Sequence, residues 1–211
     1  HLPMSTVQLT SRGEHRLRRG HLWVYRSDLK QVDADAGDLV RIVSARSRSI
    51  GYGLYSDRST IALRVLTRDS DRPGTAFWRA RLEAAIAYRA SLRIDATAYR
   101  LVHGEGDLLP GLVVDRYGDA LVVQTLTQGT DRLLPLVCDL LVDLLRPAGV
   151  LARNDPKVRA LEGLDRVVEL RHGDVPHDIE VRDGTVRLLV DPWDGQKTGL
   201  FLDQRENRHA A

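Results

Sequence analysis

The feature that most constrains this chain is a succession of short β-like runs in its first third, each ended by turn chemistry. Thr6–Leu9, Leu39–Val43, Ile50–Tyr55 and Ile61–Val65 are rich in Val, Ile, Leu and Tyr and too short to be core helices. Asp35-Ala36-Gly37-Asp38 and Ser56-Asp57-Arg58-Ser59 lie between them. Their Asp and Ser side chains bond nearby backbone, and Gly accepts positive φ. Residues 4–68 are therefore expected to form a small β-barrel. Asp69-Ser70-Asp71-Arg72-Pro73-Gly74 reads as a linker, because Pro and Gly end the strand before it.

Beyond the linker the apolar period changes. Phe77, Leu82, Ile86 and Leu92 form a helical stripe, predicting a helix from about Thr75 to Leu92. A strand is expected at Tyr99–Val102. A hairpin follows, in which Leu112–Asp115 and Ala120–Gln124 flank Arg116-Tyr117-Gly118-Asp119. A second helix is expected over about Asp131–Leu145, stopped by Pro147 and Gly149. Strands at Gly149–Arg153 and Arg166–Leu170 complete an α+β layer. Asp178–Val181 and Thr185–Val190 read as one more hairpin around Arg182-Asp183-Gly184.

With 211 residues, 43% of them hydrophobic, the chain can build one large or two small cores. No run of 18 apolar residues provides a transmembrane helix, so no membrane partner is expected. The N-terminus lacks a charged region followed by an apolar stretch, so no secretory signal is expected. His1-Leu2-Pro3 precede the only methionine, Met4, which reads as the native start. One cysteine cannot make an internal disulfide and fits a reducing, cytoplasmic location. Cys138 sits on the apolar helix without any group to lower its pKa, so it reads as core.

Charge is unevenly spread. Residues 1–72 carry 13 Lys and Arg against 8 Asp and Glu, whereas residues 73–195 carry 15 against 19. A polyanion is thus expected to dock first at the N-terminal unit. The stretch from Arg12 to Arg26 contains Arg12, Arg16, Arg18, Arg19 and Arg26, with His21, Trp23 and Tyr25 interleaved. Arginines neutralise phosphates, and aromatic rings stack on unpaired bases. The alternative is a solvated helix face followed by barrel-core aromatics, and Trp23 taken alone reads as core. His103, Glu105 and Asp107 could suggest a metal or acid–base set. They lie in a Gly-rich loop without further ligands, so loop-ordering hydrogen bonds are expected and no metal site is.

The closing segment is the densest in signal. Asp191-Pro192-Trp193-Asp194-Gly195 breaks a strand, and Gly195–Gly199 forms a polar loop. Phe201 offers an aromatic face, and Gln204, Arg205 and Asn207 offer donors on a helix that Asp203 could cap. Such a set could hold an amphipathic cofactor. The plain alternative is a capped helix with a polar face.

Taken together, three blocks resemble the large-subunit ribosomal RNA methyltransferase I family, enzymes that make 5-methylcytosine with S-adenosylmethionine. The blocks are Arg12-Gly13-Glu14 through Tyr25, Tyr99 through Gly118, and Lys197-Thr198-Gly199-Leu200-Phe201-Leu202-Asp203-Gln204-Arg205. Leu22, Gly106 and Leu108 depart mildly from the family's pattern. The resemblance implies an α+β chain: a PUA barrel over residues 4–68 that binds ribosomal RNA, and a central α+β domain over 73–175. Residues 177–211 would be the leading hairpin and first helix of a Rossmann-like methyltransferase domain. It implies RNA contacts from Arg12, Arg16, Arg18, Arg19, His21, Trp23 and Arg26, and cofactor contacts from Lys197, Thr198, Phe201, Gln204 and Arg205.

The family's chemistry is expected to begin with a cysteine thiolate adding to carbon 6 of cytosine. The family's Gly-rich cofactor loop and reactive cysteines find no counterpart within these 211 residues. The chain is therefore expected to be a truncated, inactive portion that binds S-adenosylmethionine weakly or not at all. A free-standing PUA-type RNA adaptor is the alternative. Hairpin edges left uncovered give a route to a homodimer.

Overall fold

A computed structural model describes residues 4–204. Its architecture is mixed α+β. Six strands belong to the first sheet: β1 Thr6–Leu9, β2 Trp23–Tyr25, β3 Leu29–Asp33, β4 Leu39–Val43, β5 Ser49–Tyr55 and β6 Ile61–Thr67. They pair in the order β2-β6-β5-β4-β1-β3, with β1 parallel to β4 and the other ladders antiparallel. The four expected strands are present. β2 and β3 are additional, and no ladder among the described residues joins them, so the ring expected of a barrel stays open there.

Helix α1, Ser11–Arg18, packs beside this sheet and places Leu17 in its core. Thr10 caps it by accepting the Gly13 amide at 3.1 Å. Gly13 is required by close approach: a Cβ there would meet the Asp28 carbonyl oxygen at 2.7 Å. Val7, Leu9, Val40, Ile42 and Leu63, all fully buried, fill the space beneath.

The second sheet runs β11-β10-β9-β8-β7. Its strands are β7 Ala98–His103, β8 Leu112–Tyr117, β9 Ala120–Thr125, β10 Gly149–Asn154 and β11 Val167–Gly173. β9 and β10 are parallel, joined through α3, Gln128–Arg132, and α4, Leu134–Leu145. One long helix was expected over 131–145. The chain forms two, because Leu133 ends α3 and Pro135 occupies the first turn of α4, where its missing N–H costs nothing. Helix α2, Thr75–Ser91, buries Trp78, Leu82 and Ala85.

Strand alternation divides the second sheet's residues between two faces. Leu112, Val114, Leu121 and Val123 meet α2 and α4, together with Leu54 and Leu66 from the first sheet. Tyr117 and Val122 point the other way, against the hairpin β12 Ile179–Asp183 and β13 Val186–Val190. The hairpin is pinned to the start of β7: Thr97 N donates to the Arg182 carbonyl and Arg182 N to Thr97 Oγ1, each at 2.8 Å. The first core runs from one sheet to the other, and a polar clasp reinforces that junction. Glu162, itself buried, accepts from Ser56 Oγ at 2.8 Å and Gln128 N at 3.2 Å, and pairs with Arg64 at 3.2 Å.

Candidate functional site

The N-terminal arginines divide into two kinds. Arg12 Nε reaches Asp28 Oδ1 at 2.5 Å and Arg16 Nη1 reaches Asp28 Oδ2 at 3.1 Å. Asp28 is completely buried, so these two side chains neutralise a charge that would otherwise be stranded. Arg26 donates to the Ser56 and Ser59 carbonyls, each at 2.7 Å, and so braces a turn. Arg18 pairs with Glu14 one helical turn back at 2.7 Å, and this hydrogen bond holds the Glu14 carboxyl below its usual range. Arg19 and His21 are exposed, and their side chains have no partner among the described residues.

Trp23 corrects the reading that it belongs to the core. It is 41% exposed, and its indole N–H donates to Glu105 Oε1 at 3.3 Å. On this short edge strand Val24 turns inward, which obliges its neighbours Trp23 and Tyr25 to face out. Tyr25 carries the Arg16 guanidinium 5.6 Å above its ring.

A groove of about 400 Å³ beside Arg18 adds residues that the sequence reading missed. His15 and Arg18 line one side, and Arg46 and Arg48 the other. Their signal was Ala45-Arg46-Ser47-Arg48, a polar turn that strand patterning treats as connection only.

The His103-Glu105-Asp107 loop is ordered by hydrogen bonds, as expected. Asp107 accepts from both terminal nitrogens of Arg89 and from the His103 amide at 2.6 Å. A cluster of ligand-bearing groups does form elsewhere, where none was expected. His177, Asp191 and Asp194 hold their donor atoms within 4.8 Å of one another. Asp191 Oδ1 is already used there, accepting the Trp193 and Asp194 amides at 2.8 and 3.2 Å.

The closing loop is locked to the second sheet by a buried relay. Thr198 Oγ1 donates to Asp115 Oδ2 at 2.6 Å and lies 2.7 Å from the Tyr117 hydroxyl. Because the single Thr198 proton goes to the carboxylate, Tyr117 is the donor to Thr198. Tyr117 in turn accepts the Leu200 amide at 3.2 Å. Arg100 closes the set with two hydrogen bonds to Asp115, at 2.8 and 3.1 Å. Burial first, and the Asp115 charge second, push the Tyr117 hydroxyl up to about 12. Gly199 turns the chain at φ 137°, a backbone conformation open to glycine. Arg153 supports the loop from below by donating to the Pro192 carbonyl at 2.6 Å and the Gly195 carbonyl at 3.2 Å, with Asp155 as its ion-pair partner at 2.9 Å.

The described residues do not by themselves fit a cofactor such as S-adenosylmethionine. The Thr198 hydroxyl is buried and engaged on both sides. Lys197 Nζ is held by Asp203 at 3.0 Å and lies 4.4 Å over the exposed Phe201 ring. Gln204 ends a short 3-10 turn that begins at Leu202, and Arg205 and Asn207 lie outside the described residues. Cys138 is buried, and desolvation raises its thiol to about 11, far from a thiolate at neutral pH.

Residues 7–68, which carry the first sheet, match the PUA-like domain family. Almost the whole chain is homologous to ribosomal RNA large subunit methyltransferase I. It is 38% identical to the Tolumonas auensis protein over 98% of this chain and 54% of that protein. Against the Shewanella frigidimarina protein it is 34% identical over 97% of this chain and 53% of that one. The chain thus spans about half the length of the curated relatives it matches. Two solved structures share its fold with TM-scores of 0.82 at 19% identity. One, a candidate SAM-dependent methyltransferase from Streptococcus mutans, is matched over 98% of this chain and 54% of that chain. The other, a candidate methyltransferase in complex with SAH, is matched over 97% and 52%.

Proposed function

We propose that this chain is the RNA-binding and positioning portion of a SAM-dependent ribosomal RNA methyltransferase acting on carbon 5 of cytosine. The observation that carries the reading is the homology, running nearly end to end, to proteins named for ribosomal RNA methylation. Residues 4–68 supply the RNA-binding unit and 73–175 the central α+β unit. Residues 177–211 are the leading part of the methyltransferase domain.

Within that reading the N-terminal residues have separate roles. Arg19, His21 and Trp23 face solvent and contact RNA, along with the outer nitrogens of Arg12, Arg16 and Arg18. Arg26 works through the turn it braces. Lys197 and Phe201 face the cofactor in the complete enzyme, with Gln204 and Arg205. Thr198 positions them. The chemistry itself requires a thiolate and a methyl sulfonium held close together, and Cys138 supplies no such thiolate. This chain alone is therefore inactive, and the enzyme works in the cytoplasm where ribosomal RNA is made.

Three measurements test the reading. Filter binding of ribosomal RNA fragments across a salt series is expected to give log K falling with log salt; a flat line removes the electrostatic role of α1. Bisulfite sequencing of ribosomal RNA treated with the complete gene product and S-adenosylmethionine is expected to reveal a protected cytosine, and full conversion overturns the cytosine-5 assignment. Titration calorimetry of the 211-residue chain with S-adenosylmethionine is expected to show no saturable heat.

A further inference from the structure

Two cavities meet along a ridge formed by Arg100 and Lys197, on the second sheet's side of the molecule and apart from the α1 arginines. One, about 520 Å³, has walls of Tyr88 and Leu92 from the end of α2, Tyr99 from β7, and Leu202. Tyr88 is 56% exposed and Leu92 50%, large apolar faces left open to water. The other, about 500 Å³, is lined by Arg153, Lys157 and Arg166, with Asp155 among them. Lys157 makes no ion pair or hydrogen bond among the described residues, and Arg166 spends only its Nε, on the Asp155 carbonyl at 2.5 Å.

The charge here runs against its surroundings. Arg89, Arg100, Arg153, Lys157, Arg166 and Lys197 line the two cavities against two carboxylates, Asp155 and Asp203. Yet residues 73–195 carry more acid than base, 19 to 15. Arg89, Arg100, Arg153 and Lys197 are tied to Asp107, Asp115, Asp155 and Asp203, so they shape the ridge rather than reach a ligand. Lys157 and Arg166 are placed to do so. An aromatic pocket joined to a cationic groove matches the chemistry of unpaired RNA, whose bases stack on ring faces while its phosphates follow positive charge. An apolar or acidic peptide would leave one of the two cavities mismatched.

We propose that this ridge holds a single-stranded RNA segment. One base lies against Tyr88 and Tyr99, and neighbouring phosphates lie at Lys157 and Arg166. The site rests on the RNA-binding function proposed above and adds to it a second contact surface, on the central unit.

The test uses the 211-residue chain and a fluorescein-labelled, mixed-sequence single-stranded RNA carrying 4-thiouridine. Fluorescence anisotropy is expected to show Tyr88→Ala weakening binding about tenfold through lost stacking. Lys157→Ala is expected to reduce the salt slope by about one phosphate contact. Photo-crosslinking of the wild-type chain is expected to give adducts at Tyr88 or Tyr99, a readout that no folding defect can mimic. Wild-type affinity in both variants, with Arg19→Ala weakened and adducts confined to the α1 side, removes this site while the RNA function stands. Failure of the wild-type chain to bind the probe at low salt removes both.

Discussion

At the scale of single residues, the relay from Leu200 through Tyr117 and Thr198 to Asp115 shows how few atoms hold the closing loop. Asp115 is fully buried, and its charge is balanced by Arg100 and by the Thr198 hydroxyl. Thr198→Val keeps the side-chain shape but leaves Asp115 and Tyr117 each short of a partner. Urea unfolding is expected to show a loss of about 1–3 kcal/mol. Tyr117 adds a pH limit. Its acidity is weakened on folding from the ordinary 10.0 to about 12, so the fold favours the neutral hydroxyl. That stabilisation is complete below pH 10 and is lost as the pH climbs through about 12. The melting temperature should fall across that window, and less steeply in Tyr117→Phe. A decline identical in the two proteins sinks the assignment.

At the scale of elements, α1 and the strand after it decide how the arginines are used. Arg12→Ala removes one of two partners from the buried Asp28 carboxylate, and is expected to cost about 1 kcal/mol of stability as well as some RNA affinity. Arg19→Ala should leave stability within about 0.5 kcal/mol and lower the RNA salt slope by about one. Thermal denaturation and filter binding separate the two effects, and equal stability loss in both variants contradicts the division. The same elements show what could be read in advance. Strands rich in Val, Ile and Leu, such as β4 and β9, announced themselves through their composition and length. β2 did not: three residues, two of them facing solvent, are too few to reveal a period. Asp28 was hidden for another reason. Its burial comes from α1 folding back on the turn after β2, a long-range contact that spacing along the chain does not encode. The Lys197–Phe201 loop was visible as a motif, whereas the engagement of Thr198 depends on β8 passing beneath it.

At the scale of the whole molecule, the junction between the two sheets is both apolar and polar. Leu54 and Leu66 enter the core built around α2 and α4, and Glu162 gathers Ser56, Arg64 and Gln128. Glu162→Ala leaves the Arg64 guanidinium almost buried and without its carboxylate, at an expected cost of about 3–5 kcal/mol. Hydrogen exchange is expected to speed up at residues 56–59 and 126–130 together, whereas an effect limited to one side argues against a shared clasp. The irregular stretch between β6 and α2 was legible from Pro73 and Gly74. The clasp was not, because Ser56 and Glu162 are 106 residues apart and each looks like an ordinary surface polar group in sequence.

That clasp has a mechanical corollary. Glu162 bonds to Ser56 and Arg64 from the first sheet's side and to Gln128 from the second, so one framework carries both the arginine face of α1 and the Arg100–Lys197 ridge, like the jaws of a caliper. If both surfaces take the RNA proposed for them, the strand must adapt its own path to that gauge, so strand flexibility, more than letter order, would decide which molecules are gripped at the two points at once.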